Sequence, residues 1–426
     1  MMPDLSKRRF LTSVAGSAAA SALGSLGILE QLFAQVASVA PGELAQDEAF
    51  WSAIAKQYTL TPDFIQLENG YYAATATPVL EKYIRHVRDV NASSSFYMRT
   101  RQPDDKLASA HALARMLGCG DGELIVTRNT TESLDTVING FDWKPGDEAV
   151  MAAQDYGSML DMFKLQARRH GLVNRVVSVP MHPVSDEEIV KVYESALSPK
   201  TRLLMVCHMI NITGQILPVR KIVEMAHRRG VQVMVDGAHT FGQLDFTIGD
   251  LGGCDYYGSS LHKWLGAPLG AGILYVRRDR VTGLQQMFGD ATWPDDDIRK
   301  LNHTGTHPPA TDLAIMDAIA FHETIGAARK QARLRYLQRY WTDKLRGQKR
   351  LVVNTPHAVE RSCAIANVGI EGVAPADLAK TLLEKHRIFT VAIDGAGVRG
   401  VRVTPQVFTT IAQLDDFVAA LRGLAA

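Results

Sequence analysis

Two stretches of this 426-residue chain concentrate side chains able to do chemistry. One is Asp236-Gly237-Ala238-His239, a carboxylate and an imidazole three residues apart, directly after an apolar β-branched run. The other is Tyr256-Tyr257-Gly258-Ser259-Ser260-Leu261-His262-Lys263-Trp264, which leads into the glycine-rich Gly266-Ala267-Pro268-Leu269-Gly270-Ala271-Gly272. That glycine run lacks the GxGxxG spacing and does not open a helix, so it is not a dinucleotide loop. Further upstream, Arg128-Asn129-Thr130-Thr131-Glu132 reads as a helix start, with Asn129 and Glu132 at capping-box spacing. Two hydroxyls at a helix N-terminus make a ready phosphate site, although alone they would be no more than a cap. A zinc site is not supported: His303 and His307 lie four apart in a Gly/Pro-rich stretch, and there is no HExxH.

The elements that must position these residues alternate. Short apolar runs at 124–127, 148–152, 175–179, 203–207 and 231–235 have the character of buried strands in a mainly parallel sheet. Helical patterns at 158–170, 187–196 and 220–229 fall between them, the last ending at Gly230. This alternation is the α/β signature, and such sheets bind ligands outside the carboxyl ends of their strands. Earlier, 47–58 reads as a short amphipathic helix, 70–78 as an irregular loop and 93–101 as a polar loop. Later, one long helical pattern at 312–345 leads to strands at 352–353 and 363–368 and a helix at 375–386. Short runs at 388–392 and 400–403 and a closing helix at 414–424 complete a smaller α+β domain. The expected division is 1–40, 41–80 packing on the small domain, 81–315 as the large domain and 316–426 as the small one.

Composition sets the class. Hydrophobic residues make up 46% of the chain, enough for a substantial core and two domains. Lys+Arg number 46 against Asp+Glu 45, so the +1 net charge gives no electrostatic case for nucleic acid as a partner. Cys119, Cys207, Cys254 and Cys363 are scattered, with no CxxC pair. Cys207 reads as a buried small hydrophobe and Cys363 as a strand residue.

The first residues read as an address. Ser6-Lys7-Arg8-Arg9-Phe10-Leu11, followed by a run of Ala, Ser, Gly and Leu, resembles a twin-arginine export signal with shortened spacing. Ser38-Val39-Ala40 offers small residues for cleavage before Pro41. The twin-arginine machinery is thus an expected partner and the periplasm the expected location; otherwise the protein would be cytoplasmic.

Asp-Gly-Ala-His and then Ser-x-His-Lys-Trp ahead of a glycine-rich strand resemble the class V aminotransferases, and within them the isopenicillin N epimerase-like branch. Leu67-Glu68-Asn69-Gly70-Tyr71-Tyr72 and Val401-Arg402-Val403-Thr404-Pro405 match the same branch. The resemblance runs from about residue 67 to 410. It implies the type I fold of pyridoxal-phosphate enzymes, pyridoxal 5'-phosphate as cofactor and a homodimer with a shared active site. It also implies roles. Lys263 would hold the cofactor as a Schiff base, its pKa lowered from the usual value of about 10.4. Asp236 would pair with the pyridine nitrogen, keeping the ring an electron sink. Thr130, Thr131, Ser260 and His262 would bind the phosphate, with Thr306 reaching it from the neighbouring subunit. Asn211 would bond the ring oxygen, Tyr156 would stack on the ring and take part in catalysis, and His239 is a further cofactor contact. Arg402 would clamp the substrate carboxylate, with Asn69 and Tyr71 lining the substrate.

The resemblance implies chemistry at the amino-bearing carbon of an amino acid or peptide amine. Transamination is expected, since one base suffices; epimerisation and a non-catalytic cofactor-binding protein are the alternatives. Cysteine desulfuration is not expected, because 392–400 contains no cysteine. An export signal on such an enzyme also resembles the periplasmic pyridoxal-phosphate enzymes of pyoverdine maturation, which implies a peptide side-chain amine as substrate.

Overall fold

The computed structural model describes residues 31–426, so the twin-arginine motif lies outside the described residues. A seven-stranded sheet forms the centre. Its strands are β2 (Leu124–Thr127), β3 (Glu148–Ala152), β4 (Val173–Val177), β5 (Thr201–Cys207), β6 (Gln232–Asp236), β7 (Tyr256–Ser260) and β8 (Gly272–Val276), with β1 (Ile65–Gln66) lying apart from it. The order across the sheet is β2-β8-β7-β6-β5-β3-β4. Only the β7–β8 and β2–β8 pairs are antiparallel, so β8 alone runs against the rest. The strands read as apolar runs because helices cover both faces; two separate apolar clusters sit on the two sides. Edge strand β4 is the exception, with a mostly exposed pattern.

A second, antiparallel sheet holds β9 (Leu351–Val353), β10 (Ala366–Ile370), β12 (Val391–Gly395) and β13 (Val398–Val403), in the order β12-β13-β10-β9. It has its own core, built around Trp341, Phe417 and Leu421. Between β10 and β12, β11 (Ile388–Phe389) pairs in parallel with β1, joining the N-terminal segment to this smaller unit. The chain therefore has an α/β body with a mainly parallel sheet and a C-terminal α+β unit.

Several elements differ from the sequence expectation. The helical pattern at 312–345 is two helices, Pro309–Ile325 and Ala327–Leu345, broken at Gly326, whose φ of 87° no ordinary helix residue adopts. The segment read as a polar loop at 93–101 belongs to the helix Thr77–Thr100, which carries a non-helical Ser94 at φ 44°. The run at 388–392 divides between β11 and β12. Cys363 lies just ahead of β10 rather than on it.

Residues assigned to the end of the signal are part of the packed molecule. Leu32, Phe33 and Val36 are buried in one of the central clusters, and the Phe33 ring meets Phe50 edge-on at 4.9 Å. A cut after Ala40 would remove all three from that core. The packed chain thus extends N-terminal to the expected boundary.

Candidate active site

The parallel strands end along one edge, and each turn there delivers a polar side chain. After β2, Asn129 caps the helix Thr130–Gly140 by accepting the Glu132 N–H. The capping box is only half formed, because the Glu132 carboxylate accepts from the Arg128 N–H instead. After β3 come Asp155 and Tyr156; after β5, Met209 and Asn211; after β6, His239; after β7, His262 and Lys263. Gly272 opens β8 where a Cβ would stand 2.7 Å from the Asn129 backbone, so only glycine lets the phosphate-side turn close on the sheet.

These turns enclose a cavity of about 280 Å³. Lys263, Asp236, His239, His262, Ser260, Asn211, Thr130, Thr131, Tyr156, Tyr71 and Arg402 all line it. Two expected residues do not. Asn69 is fully buried behind the wall, its backbone and amide N–H groups donating to Thr404, so it anchors the segment rather than meeting a ligand. Thr306 is exposed and outside this cavity in the single chain.

Electrostatics at the floor favour a reactive amine. Burial is the main force on the Lys263 amine and lowers its pKa to about 8; Arg402 adds to this, while Asp236 and Glu68 oppose it. Burial pushes the Asp236 carboxyl up, opposed by the Ala238 N–H, 2.9 Å from Oδ1, and by Lys263. A cation placed against Asp236 would therefore be welcome. Burial pushes His262 down to about 4, and its Nδ1 is buried without a partner. The Thr130 hydroxyl and Ser260 hydroxyl meet at 2.7 Å, and the Thr130 N–H donates to Ser260 Oγ at 2.9 Å. Hydroxyls at a helix start, an orphaned imidazole nitrogen, an amine and a carboxylate form the donor set that a phosphorylated pyridine aldehyde needs. The residues present fit pyridoxal phosphate.

The sequence reading missed Glu68. It grips Arg402 along one edge of the guanidinium: Nε donates to Oε2 at 3.1 Å and Nη2 to Oε1 at 2.7 Å. Both side chains are buried, and the Tyr71 N–H also donates to Glu68. Arg402 lies on β13 and Glu68 beside Thr404 through an isolated bridge, so the N-terminal segment is what brings the pair together. Nη1 makes a long contact of 3.4 Å to the Asn211 carbonyl. A second buried carboxyl, Asp155, also went unremarked; burial raises it to about 7, and it stands near Cys207 and Asp236.

An α/β sheet with a lysine, an aspartate and a phosphate cradle at its strand ends defines a pyridoxal-phosphate site of the type I fold. The profile described as "Aminotransferase class-V" matches residues 72–409, and the chain belongs to that family. Within it, the chain lies on the isopenicillin N epimerase-like branch. It is 29% identical over 393 residues to the isopenicillin N epimerase of Amycolatopsis lactamdurans, covering 88% of this chain and 98% of that one. The isopenicillin N epimerase of Streptomyces clavuligerus is 26% identical over 395 residues, with the same coverage. Among solved structures, the Escherichia coli cysteine desulfurase CsdA superposes with a TM-score of 0.76 at 20% identity, covering 88% of this chain and 98% of its own. The chain is thus an enzyme, and its cofactor is pyridoxal 5'-phosphate.

Proposed function

We propose that the enzyme removes the proton from the amino-bearing carbon of an amino acid or an amino-acid-containing peptide, and completes a transamination. The observation that carries this is Lys263, an amine whose pKa lies near 8, on the floor of a cavity beside Asp236. Bound pyridoxal phosphate supplies an electron sink for the bond broken at that carbon. Asp236 would hold the ring nitrogen, Thr130, Thr131, Ser260 and His262 the phosphate, and Asn211 the ring oxygen. Tyr156, 43% exposed at the start of its helix, would cover the ring. The Arg402 edge not held by Glu68 would receive the substrate carboxylate. Lys263 Nζ would take the proton and return it on the same face, so one base completes the reaction.

Epimerisation is the second reading, favoured by the two isopenicillin N epimerases that match over 98% of their length. It calls for an acid on the opposite face, for which the Tyr156 hydroxyl is the candidate. A non-catalytic binding protein is disfavoured, since the base, the carboxylate partner of the ring and the guanidinium are all present. Desulfuration is disfavoured by β12 and β13. They form a hairpin whose two-residue turn, Ala396-Gly397, has both φ angles positive, leaving no loop there to carry a cysteine. Cys207, the cysteine at the cavity, is buried and its thiol pushed well above the usual range.

The exposed Thr306 fits a homodimer in which it completes the partner's phosphate site. The arginine pair near the N-terminus supports export to the periplasm, where a peptide amine is a fitting substrate. Incubating the enzyme with amino acids in deuterium oxide, with and without a keto-acid acceptor, tests the reaction. Keto product dependent on the enzyme would support transamination. Deuterium at the amino-bearing carbon with inverted configuration, and no keto product, would move the assignment to epimerisation.

A further inference from the structure

The cofactor lysine has an unusual neighbour whose hydrogen can be placed by donor and acceptor logic. Trp264 follows Lys263 in sequence and is fully buried. Its Nε1–H, a donor only, stands 3.3 Å from His239 Nδ1, so that nitrogen must accept. Burial first, then Lys263, Arg402 and His262, keep the His239 imidazole neutral by lowering its pKa well below the usual value. A neutral imidazole carries one hydrogen, which with Nδ1 accepting must be on Nε2. Nε2 stands 3.4 Å from Lys263 Nζ. An N–H aimed at an amine requires the nitrogen lone pair, which an ammonium does not have.

Trp264 is held where it can act this way. Its carbonyl accepts a hydrogen bond from buried Lys330. Gly242 packs so closely against the next residue that a Cβ there would stand 2.7 Å from the Leu265 nitrogen. His239 is fixed through its carbonyl, which accepts from the Gln243 amide. The other groups facing Lys263 pull both ways. Asp236 at the end of β6, Glu68 on the N-terminal segment and Cys207 at the end of β5 favour the ammonium, whereas Arg402 on β13 disfavours it. Burial is the largest influence and disfavours the ammonium, and the His239 nitrogen that faces the amine at 3.4 Å acts beside it.

We propose that Trp264 is a positioning residue: by donating to His239 Nδ1 it fixes the imidazole hydrogen on Nε2, aimed at Lys263 Nζ, and so holds that lysine as the free amine that captures an aldehyde. The inference rests on Lys263 being the cofactor lysine. In the capture step the Nζ lone pair adds to the aldehyde carbon, and the aldehyde oxygen leaves as water with the two amine hydrogens. Without Trp264 the imidazole is free to carry its hydrogen on Nδ1 and accept from an ammonium at Nε2, which would stabilise the unreactive form.

The test is the rate at which the full-length, cofactor-free chain takes up pyridoxal phosphate covalently between pH 6 and 10. The wild type is expected to show a midpoint near 8. Trp264→Phe should move the midpoint up by about one unit, so that capture is about tenfold slower at pH 7 and unchanged at pH 10. An unmoved midpoint, or equal slowing at every pH, would overturn the proposal. Nitrogen-15 spectra of histidine in the wild-type chain, with His239 assigned through His239→Gln, give a second reading should the phenylalanine variant not fold. They should show the Nε2–H form, and an Nδ1–H form would overturn it too. Lys263→Ala separates the failures: if it still captures the cofactor covalently, the assignment of Lys263 is at fault and not the role of Trp264.

Discussion

Two lysines stand one carbonyl apart in this molecule, Lys263 half-buried and Lys330 buried, and they do different things. Lys263 and Lys330 both have their amines pushed far down by burial, to about 8 and about 7. Lys263 opens into the cavity and is surrounded by Asp236, Arg402, Glu68 and His239. Lys330 has no charge partner among the described residues; it bonds the Trp264 carbonyl and neighbours His322, itself pushed down to about 3. It lies in the first turn of the helix that follows Gly326, its backbone N–H donating to the Gly326 carbonyl. A depressed lysine pKa is thus common to a reactive and a structural residue, and access together with a set of converging partners is what separates them.

The largest effects should fall on one lysine and not the other. Lys263→Ala is expected to lower turnover by about 10³-fold or more, measured with whichever substrate the wild type accepts. Lys330→Met should keep turnover within about threefold, with its effect on stability instead. The Lys330 amine is lowered in the folded state, so between the ordinary lysine value and about 7 the unfolded chain binds its proton first. Folding stability is therefore lost as pH falls through that window. Lys330→Met should stabilise the protein by about 1–3 kcal/mol at pH 6, with the gain fading above pH 10, as read by urea denaturation. A loss of turnover matching that of Lys263→Ala would break the comparison.

A smaller effect sharpens what surrounds the reactive lysine. Glu68→Gln should loosen the guanidinium that the carboxylate now holds by one edge. KM for a carboxylate-bearing substrate should rise about tenfold with kcat changed less, as steady-state kinetics would show. Tighter binding of carboxylates in that variant would mean that Glu68 competes with substrate instead. The smallest effect is expected from Tyr156→Phe: turnover by transamination should stay within about threefold, whereas any epimerisation should fall by about tenfold or more. Measuring keto product and configuration in the same reaction mixture checks both.

Much of this was legible because the site follows the strands. Thr130, Tyr156, Asn211, Asp236 and His239 come soon after apolar runs, so the pattern that located β2, β3, β5 and β6 also located that part of the cavity. Lys263 follows β7, whose Tyr-Tyr-Gly-Ser-Ser gives no apolar run, and was found by its motif instead. What stayed hidden depends on contacts with no period in the chain. Glu68 and Arg402 lie far apart in sequence, and only the bridge between Glu68 and Thr404 reveals that they meet. The hydrogen bond from Trp264 to His239 is likewise invisible to spacing. Asn69 sits in a motif that meets the cavity at Gly70 and Tyr71, and nothing in its type says that it turns inward to Thr404. The helix around Ser94 was concealed because its face is exposed and polar, leaving no apolar stripe to count. Gly326 went unseen for the opposite reason: apolar periodicity continues on both sides of the break.

The central claim is that Lys263 is the lysine that carries the cofactor, and borohydride fixation tests it most directly. The purified holoenzyme would be reduced, digested and examined by mass spectrometry for the pyridoxyl label. The label is expected on the peptide containing Lys263, with none on the peptide containing Lys330. Label on Lys330 or on another lysine, with Lys263 unmodified, would contradict the account.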